Sequence, residues 1–288
     1  MRSKCCIFWV MLIMITSFLL FGSEDIKKID LPIPHGMQTA RLYYLPPPHN
    51  CRAVLLLLPG INGDGKRYLY DYEWRNFANK NRLALVSVFF VSTLSDIKNK
   101  KGYYYPDKGS GDILLEGMKK INCDKLPLLM YGFSGGAHFV SRFVAWKPEK
   151  VKAWCAYSAA WWDMPTLTTP PGLVVCGEND FRLKATQNFF WHGRENRQKW
   201  LWLALKGTAH SEQIYLKKFI QHYFHLILKY KTMDNGIWVN IYTGDIVRDE
   251  IANKFPCATA WIPHESLHLH WKKLHSTAIY TNMLVSLE

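Results

Sequence analysis

The chain has 288 residues, of which 49% are apolar and 15% are aromatic, so it can bury one large core and a small additional unit. This composition excludes a chain that is disordered as a whole. The formal net charge is +13, but lysine and arginine are spread along the chain apart from the cluster KNKK at 98–101, and no nucleic-acid motif accompanies them. We therefore expect no nucleic-acid partner. A generally basic, solvated surface explains the charge, and the alternative is attraction to an anionic envelope surface or an acidic polymer.

The first segment of the chain has the features of an export signal. Arg2 and Lys4 precede an apolar run at 7–21, which gives way to small and charged residues. The run is shorter than the about 20 residues that a membrane span needs. We expect residues 1–23 to be a cleaved signal peptide or an uncleaved N-terminal anchor, and the protein to be periplasmic or secreted.

The cysteines and histidines do not form a metal-binding pattern. Of seven cysteines, Cys5 and Cys6 belong to the export segment, and the remaining five cannot all pair, although one disulfide is compatible with this number. Cys155 and Cys176 lie in apolar runs, where buried free thiols are usual. Several histidines carry no carboxylate or cysteine at a ligand spacing, so we expect no metal. These histidines are His222, His225, His264, His268, His270 and His275.

From residue 52 to residue 229 the chain alternates between strand-like and helix-like segments. Continuous apolar runs predict the buried strands RAVLLLLPG, LALVSVFF, PLLMYG, VKAWCAYSAA, PGLVVCGEND and KWLWLALKG. Segments with polar faces predict the helices GKRYLYDYEWRNFANKNR, ILLEGMKKI, AHFVSRFVAW, ATQNFFWHGRENR and SEQIYLKKFIQHYFHLILKY, and STLSDIKNKKGYYYPDKGSGD predicts a long loop. Continuous apolar strands separated by helices indicate an α/β fold with a doubly wound, mostly parallel sheet.

The two ends of this region have a different character. Residues 24–51 predict a lead-in strand followed by the Pro-rich loop YYLPPPHN. After residue 231, GIWVNIYTGDIVRD predicts a hairpin that turns at Thr243 and Gly244, and ESLHLHWKKLH predicts a short helix. We therefore interpret residues 24–231 as a catalytic domain and residues 232–288 as a small C-terminal appendage.

The segment YGFSGG at 131–136 places a serine between glycines where a predicted strand meets a predicted helix. A tight turn at this junction needs small neighbours, because a bulky flank would collide with the strand or the helix. In a doubly wound parallel sheet, sites form at the carboxyl ends of strands, where Ser134 lies. A free hydroxyl is a poor nucleophile near neutral pH, so Ser134 would need a histidine as base and a carboxylate to orient that histidine.

The chain supplies both partners after later strands. Asp180 ends GEND and His210 ends GTAH, each just past a predicted strand, which gives the order Ser134, Asp180, His210. Asp163, which follows the preceding strand, is the rival acid. His138 is the nearest rival base, but four residues after Ser134 on the same helix it would lie one turn deeper. We favour Asp180 and His210.

These motifs resemble those of a known superfamily. GFSGG at 132–136 resembles the GxSxG nucleophile elbow of the α/β-hydrolases, LLLLPGINGDG resembles their oxyanion loop, and GEND and GTAH resemble their acid and histidine loops. The resemblance covers roughly residues 54–229. Within the superfamily the chain is similar to secreted esterases of the polyhydroxybutyrate depolymerase, feruloyl esterase and dienelactone hydrolase type, and to prolyl-oligopeptidase-like hydrolases. The short stretch between Ser134 and Asp180 disfavours a large lipase-type cap.

The resemblance also implies where the oxyanion would be bound. It places the donors at the backbone N–H of Gly135 and at that of Ile61 or Asn62, after a Pro59–Gly60 turn where many relatives carry His-Gly. It implies no cofactor.

Aromatic residues follow two other predicted strands. Trp161, Trp162 and Tyr104 are candidates to line a substrate pocket, although ordinary packing would account for them equally well. We expect an exported serine hydrolase, a carboxylesterase, acting on a small-molecule or polymer ester. The alternatives are a prolyl-oligopeptidase-like serine peptidase and a non-catalytic polymer-binding module on the same scaffold.

Overall fold

The computed structural model describes residues 26–230 and 234–277. Its main sheet has eight strands in the order β1-β2-β4-β3-β5-β6-β7-β8. The strands are β1 (Lys27–Asp30), β2 (Thr39–Tyr44), β3 (Ala53–Leu58), β4 (Leu83–Val91), β5 (Leu128–Phe133), β6 (Val151–Tyr157), β7 (Gly172–Gly177) and β8 (Trp200–Leu205). Strands β3 to β8 pair in parallel, whereas β1 and β2 are antiparallel additions at one edge. The predicted mostly parallel α/β sheet is confirmed.

Helices connect these strands. They are α1 (Lys66–Tyr70), α2 (Tyr72–Asn81), α3 (Leu94–Lys98), α4 (Ser110–Lys120), α5 (Gly135–Trp146), α6 (Leu183–Glu195) and α7 (Ile214–Lys229). The single helix predicted after β3 is broken at Asp71, whose side chain accepts hydrogen bonds from the N–H groups of Glu73 and Trp74 and so starts α2. The segment predicted as a long loop after β4 contains α3 and a 3₁₀ turn at Pro106–Lys108.

The burial of the strands explains why their sequences are apolar without alternation. Every residue of β3, β7 and β8 is buried, and adjacent residues of a strand point to opposite faces. Both faces of the sheet are therefore covered, which leaves the loops at the strand ends as the places where polar side chains can gather.

The strand order determines where the main cleft forms. The chain runs from β3 to β4 on one side and then crosses back to β5 on the other side of β3, where Leu58 pairs with Gly132. Ligands of doubly wound sheets bind at such a reversal, outside the carboxyl ends of the strands. The loops after β3 and β5 meet there.

The C-terminal residues form a second, three-stranded antiparallel sheet. Its strands are β9 (Ile237–Asn240), β10 (Ile246–Val247) and β11 (Thr259–Ile262), in the order β10-β9-β11, and the helices α8 (Asp249–Lys254) and α9 (His268–Leu274) accompany them. Gly244, with φ 75°, lies in the turn between β9 and β10.

This C-terminal unit packs on the outer edge of the main sheet. The Trp271 indole N–H donates to the carbonyl of Trp202 on β8 at 2.7 Å, and the Ala204 N–H donates to His275 Nδ1 at 3.2 Å. Trp261 and Trp271 are fully buried in the same core as the central strands. The C-terminal sheet therefore covers β8, which would otherwise be an exposed edge strand.

Two sequence predictions concern export and cysteine pairing. Within the described ranges, none of the helices combines the length and the apolar character needed to cross a bilayer. Residues 1–23, the predicted signal peptide, lie outside those ranges. The cysteines that the structure describes are all free thiols, and Cys155 and Cys176 are buried in β6 and β7.

Candidate active site

Ser134 occupies the sharp turn between β5 and α5. Its backbone has φ 51° and ψ −107°, a region that residues other than glycine rarely adopt. The Ser134 N–H donates to the carbonyl of Tyr157 on β6 at 2.7 Å, which ties the turn to the neighbouring strand. A strained conformation of this kind persists only when the surrounding structure holds it.

The glycines around Ser134 permit this turn because the backbones approach closely. A Cβ atom on Gly132 would lie 2.3 Å from the carbonyl carbon of Gly136, and one on Gly136 would lie 2.4 Å from the carbonyl oxygen of Leu58. Any side chain at these two positions would push α5 away from β5 or from the end of β3. The spacing of glycines in YGFSGG is thus a packing requirement of the turn.

The structure brings Ser134, His210 and Asp180 together in one hydrogen-bonded series. His210 Nε2 lies 3.1 Å from Ser134 Oγ, and His210 Nδ1 lies 2.8 Å from Asp180 Oδ2. Asp180 follows β7 and His210 follows β8, so three strand ends contribute one residue each. An imidazole in this arrangement can accept the hydroxyl proton on Nε2 while its Nδ1–H donates to the carboxylate.

Asp180 is held as a buried carboxylate. Its side chain is fully shielded from solvent, and its Oδ1 accepts from the backbone N–H of Arg182 at 3.0 Å and from Arg182 Nη1 at 3.1 Å. Burial alone would raise the pKa of Asp180, but the hydrogen bonds from the Arg182 N–H, from His210 and from the Arg182 side chain outweigh it and lower the pKa below 3.8. The carboxylate is therefore charged at neutral pH.

The loop that carries His210 is fixed to the sheet. The Tyr157 hydroxyl donates to the carbonyl of Ser211 at 2.6 Å, and the His210 ring stacks on Phe133 with centroids 5.1 Å apart. The His210 side chain is 28% exposed, and it lines the same open cleft as Ser134.

The loop after β3 carries the two predicted alternatives for an oxyanion donor, Ile61 and Asn62, and only Ile61 lies beside the serine turn. A Cβ on Gly135 would lie 2.6 Å from the backbone nitrogen of Ile61, so these two peptide groups border each other. The N–H of Asn62 instead donates to the Tyr103 hydroxyl at 3.3 Å. The Asn62 side chain bonds both the N–H and the carbonyl of Ser92 at 3.0 Å and thereby anchors the loop, at φ 53°.

An open cleft of about 460 Å³ contains Ser134 and His210. Its other lining residues are Pro59, Gly60, Ile61, Gly63, Asp64, Arg67 and Phe133. Asp64 and Arg67 give one wall a polar character, and the sequence reasoning did not single them out. Their signal was the polar stretch GDGKR, which begins within the predicted oxyanion loop and continues past its end.

The three aromatic residues predicted to line the pocket do not line this cleft. Tyr104 is buried with its ring stacked on His138 at 4.5 Å, and Trp162 stacks on Phe189 at 4.1 Å. Trp161 is 49% exposed and lies 5.6 Å from the His138 ring. Packing against rings from other elements explains these residues.

The two rival residues have other partners. His138 is buried, with Nδ1–H donating to the Trp161 carbonyl at 2.9 Å and Nε2 accepting from the Ala160 N–H at 3.3 Å. Burial lowers the pKa of His138 to about 3, so the ring is neutral. Asp163 makes a two-point ion pair with Arg142, at 2.7 and 3.1 Å.

Among the described residues, no group of three or more histidine, cysteine, aspartate or glutamate side chains is arranged to hold a metal ion. The histidines of the C-terminal part make separate contacts. His275 bonds the backbone of Ile241 and Ala204, and His268 bonds the carbonyl of Gly244.

Sequence comparisons identify no relatives of the chain: no protein-family model matches it, and no curated protein does either. Solved structures do resemble it. A poly(3-hydroxybutyrate) depolymerase from Bordetella parapertussis aligns with a TM-score of 0.52 at 12% identity, over 82% of this chain and 95% of the other. A ferulic acid esterase aligns with a TM-score of 0.54 at 13% identity, over 69% of this chain and 96% of the other.

A third similar structure is an esterase from Pyrobaculum calidifontis, with a TM-score of 0.54 at 12% identity over 74% of this chain and 89% of the other. Identities this low establish a shared fold. The chain therefore has the α/β-hydrolase fold, as the motifs around Ser134 predicted.

Proposed function

We propose that this protein is a serine hydrolase that cleaves a carboxylic ester or a related acyl bond through an acyl-enzyme. The observation that carries the proposal is the series Asp180–His210–Ser134, with contacts of 2.8 and 3.1 Å at the carboxyl ends of the parallel strands β7, β8 and β5. A strained serine turn and a buried, charged carboxylate have a clear use in this chemistry and no evident use in a structural turn.

In the proposed reaction, Ser134 Oγ attacks the carbonyl carbon of the substrate while its proton passes to His210 Nε2. The new C–O bond places a negative charge on the former carbonyl oxygen. Asp180 holds the imidazole in the tautomer that can accept this proton and stabilises the imidazolium that results. When the intermediate collapses, the leaving alcohol takes the proton from His210, and a water molecule activated in the same way then releases the acid.

The proposed oxyanion donors are the backbone N–H groups of Gly135 and Ile61. They border each other beside Ser134, whereas the N–H of Asn62 is used by the Tyr103 hydroxyl. Asn62 is then the residue that fixes the loop rather than a donor. Backbone donors aimed at the developing charge commonly contribute a factor of about 10²–10³ in kcat each.

The proposal extends to substrate access and location. The cleft of about 460 Å³ is open, which suits an ester presented on a small molecule or a polymer. The export signal predicted at residues 1–23 would deliver the enzyme outside the cytoplasm, where such esters would be its substrates.

Turnover of p-nitrophenyl esters of increasing acyl length tests the proposal. We expect the purified protein to hydrolyse short esters, Ser134→Ala to abolish turnover, and Ser141→Ala to keep it, because Ser141 lies on the same helix and bonds only the carbonyl of His138 within the described chain. Peptide substrates cleaved in preference to esters would favour a peptidase. Tight polymer binding that is equal in the parent and in Ser134→Ala, without hydrolysis, would favour a binding module.

A further inference from the structure

The carboxylate of Glu212 connects the histidine loop with two other elements. Glu212 Oε1 accepts from the hydroxyl groups of Tyr68 and Tyr131, each at 2.7 Å, and Oε2 pairs with Arg67 Nη2 at 2.5 Å. Tyr131 lies on β5, three residues before Ser134, and Glu212 lies two residues after His210. The four groups therefore join the strand that carries the serine, the helix α1 and the loop that carries the histidine.

The two tyrosines of this connection are buried, whereas the Glu212 side chain is 22% exposed and the Arg67 side chain is 55% exposed. Tyr68 and Tyr131 are 5% and 2% exposed, and burial together with the Glu212 charge raises the pKa of both hydroxyl groups well above 10. Each tyrosine is thus a neutral donor to the carboxylate at any ordinary pH. Arg67 supplies the compensating charge and packs over the Tyr68 ring at 4.7 Å. A hydrogen bond to a charged group is stronger than a hydrogen bond between two neutral groups.

Within residues 26–230 and 234–277, Arg67 is the cation that pairs with Glu212. The network lies at a cavity of about 250 Å³, where Lys217 is the remaining basic side chain, and Lys217 pairs with Asp71 and, at 3.1 Å, with Glu73. Arg67 also lines the cleft that contains Ser134. Glu212 therefore holds Arg67 at the wall between the two spaces.

The histidine loop needs such an anchor because it spans residues 206–213 between β8 and α7. Before His210, the Thr208 hydroxyl donates to the carbonyl of Leu205 on β8 at 2.8 Å. After His210, the Tyr157 hydroxyl donates to the carbonyl of Ser211. The contacts of Glu212 with Tyr131 and of Ser211 with Tyr157 both lie just C-terminal to His210. They fix the loop relative to β5 and β6. Loss of one would allow His210 to move away from Ser134 while Asp180 stays in place.

We propose that Glu212 is a positioning residue for His210, acting through Tyr131 and Tyr68 to set the distance between His210 Nε2 and Ser134 Oγ. The proposal rests on the function proposed above. It assigns to this cluster a role in the rate of acyl transfer rather than in substrate binding. It predicts that the Glu212–Tyr131 contact affects kcat more than KM.

The experiment measures kcat, KM, the rate of labelling by a fluorophosphonate and the melting temperature. The variants are Glu212→Ala, Glu212→Gln, Tyr131→Phe and the double variant Glu212→Gln/Tyr131→Phe. The matched control is Glu195→Gln, which removes an exposed carboxylate that pairs with His192.

A small displacement of a catalytic group costs on the order of 10²-fold in rate. We therefore expect Glu212→Ala to lower kcat and the labelling rate by about 10- to 100-fold with KM changed less than about threefold. Glu212→Gln and Tyr131→Phe should have smaller effects, because each keeps part of the network. Since both act on one contact, the double variant should lose less than the product of the two single losses. Glu195→Gln should match the parent.

The outcomes separate this inference from the proposed function. If turnover depends on Ser134 but Glu212→Gln and Tyr131→Phe both keep the kcat of the parent, or change only KM, the positioning role is wrong and the hydrolase function stands. If the parent shows no turnover or labelling that depends on Ser134, the proposed function itself fails. If Glu212→Ala does not fold, Glu212→Gln and Tyr131→Phe decide the question, because both retain the shape of the parent side chain.

Discussion

Replacement of Asp180 by asparagine exchanges one oxygen for a nitrogen and tests how the site controls the protonation of His210. In the parent, Oδ1 accepts two hydrogen bonds from Arg182 and Oδ2 accepts one from His210. The amide of the variant has only one acceptor oxygen. If that oxygen faced His210, the amide NH₂ would meet both donors of Arg182, and two hydrogen bonds of about 1 kcal/mol or more each would be lost.

The asparagine oxygen should therefore face Arg182, and the NH₂ should face His210 Nδ1. An imidazole that accepts on Nδ1 carries its proton on Nε2 when neutral, and that nitrogen lies 3.1 Å from Ser134 Oγ. The ring then cannot take the serine proton. We expect kcat to fall by about 10⁴-fold, the loss associated with the wrong tautomer in triads of this type.

The assay is the hydrolysis of p-nitrophenyl acetate, with the melting temperature as a check that the variant folds. Asp163→Asn is the matched control, because Asp163 pairs with Arg142 and has its contacts outside the Ser134–His210 pair. It should stay within about threefold of the parent. The reasoning is refuted if Asp180→Asn keeps more than about a tenth of the parent kcat, or if Asp163→Asn loses as much.

Two further predictions concern the serine turn and acid stability. A Cβ in Gly135→Ala would lie 2.6 Å from the Ile61 nitrogen, so kcat should fall by about 10²–10³-fold. Gly60→Ala, whose Cβ meets its nearest neighbour at 3.6 Å, should retain more activity, and equal losses in ester assays would contradict this account. Burial lowers the pKa of His138 to about 3 and that of His275 to about 4. In the unfolded chain both histidines have the ordinary pKa of about 6.5. Between about pH 6.5 and pH 4 the unfolded chain therefore binds protons that the folded chain does not. The free energy of unfolding should therefore decrease as the pH falls through this window, and urea unfolding at pH 7 and pH 4.5 that gave the same midpoint would contradict the prediction.

The sequence was sufficient to predict the sheet and the proximity of three residues. Apolar runs without alternation predicted strands covered on both faces, and the parallel arrangement placed all their carboxyl ends at one edge. Ser134, Asp180 and His210 each lie in the turn or loop that follows a parallel strand, so their approach depends on topology more than on side-chain detail. The catalytic roles remain predictions that the assays above address.

Features that depend on contacts between distant segments could not be predicted in this way. Trp162 follows a strand like the proposed catalytic residues, but its ring packs on Phe189 of α6, and nothing in the local pattern specifies that pairing. Glu212 meets tyrosines that are far away in the chain, so its position beside His210 gave no signal of the network.

Helix α3 shows a different kind of omission. It lies in a segment rich in glycine, lysine and tyrosine that predicted a loop, yet the Thr93 hydroxyl accepts from the Asp96 N–H at 3.0 Å and starts the helix. The spacing of threonine and aspartate in TLSD is a helix-start signal that the composition of the segment obscured.

The central claim is that Ser134 is an activated nucleophile, and covalent labelling tests it most directly. The purified protein should react with a fluorophosphonate, and mass spectrometry should locate the adduct on the peptide that contains Ser134. Labelling should be absent in Ser134→Ala and strongly slowed in Asp180→Asn, with both variants folded. A folded parent protein that is not labelled, or an adduct that persists in Ser134→Ala, would contradict the account.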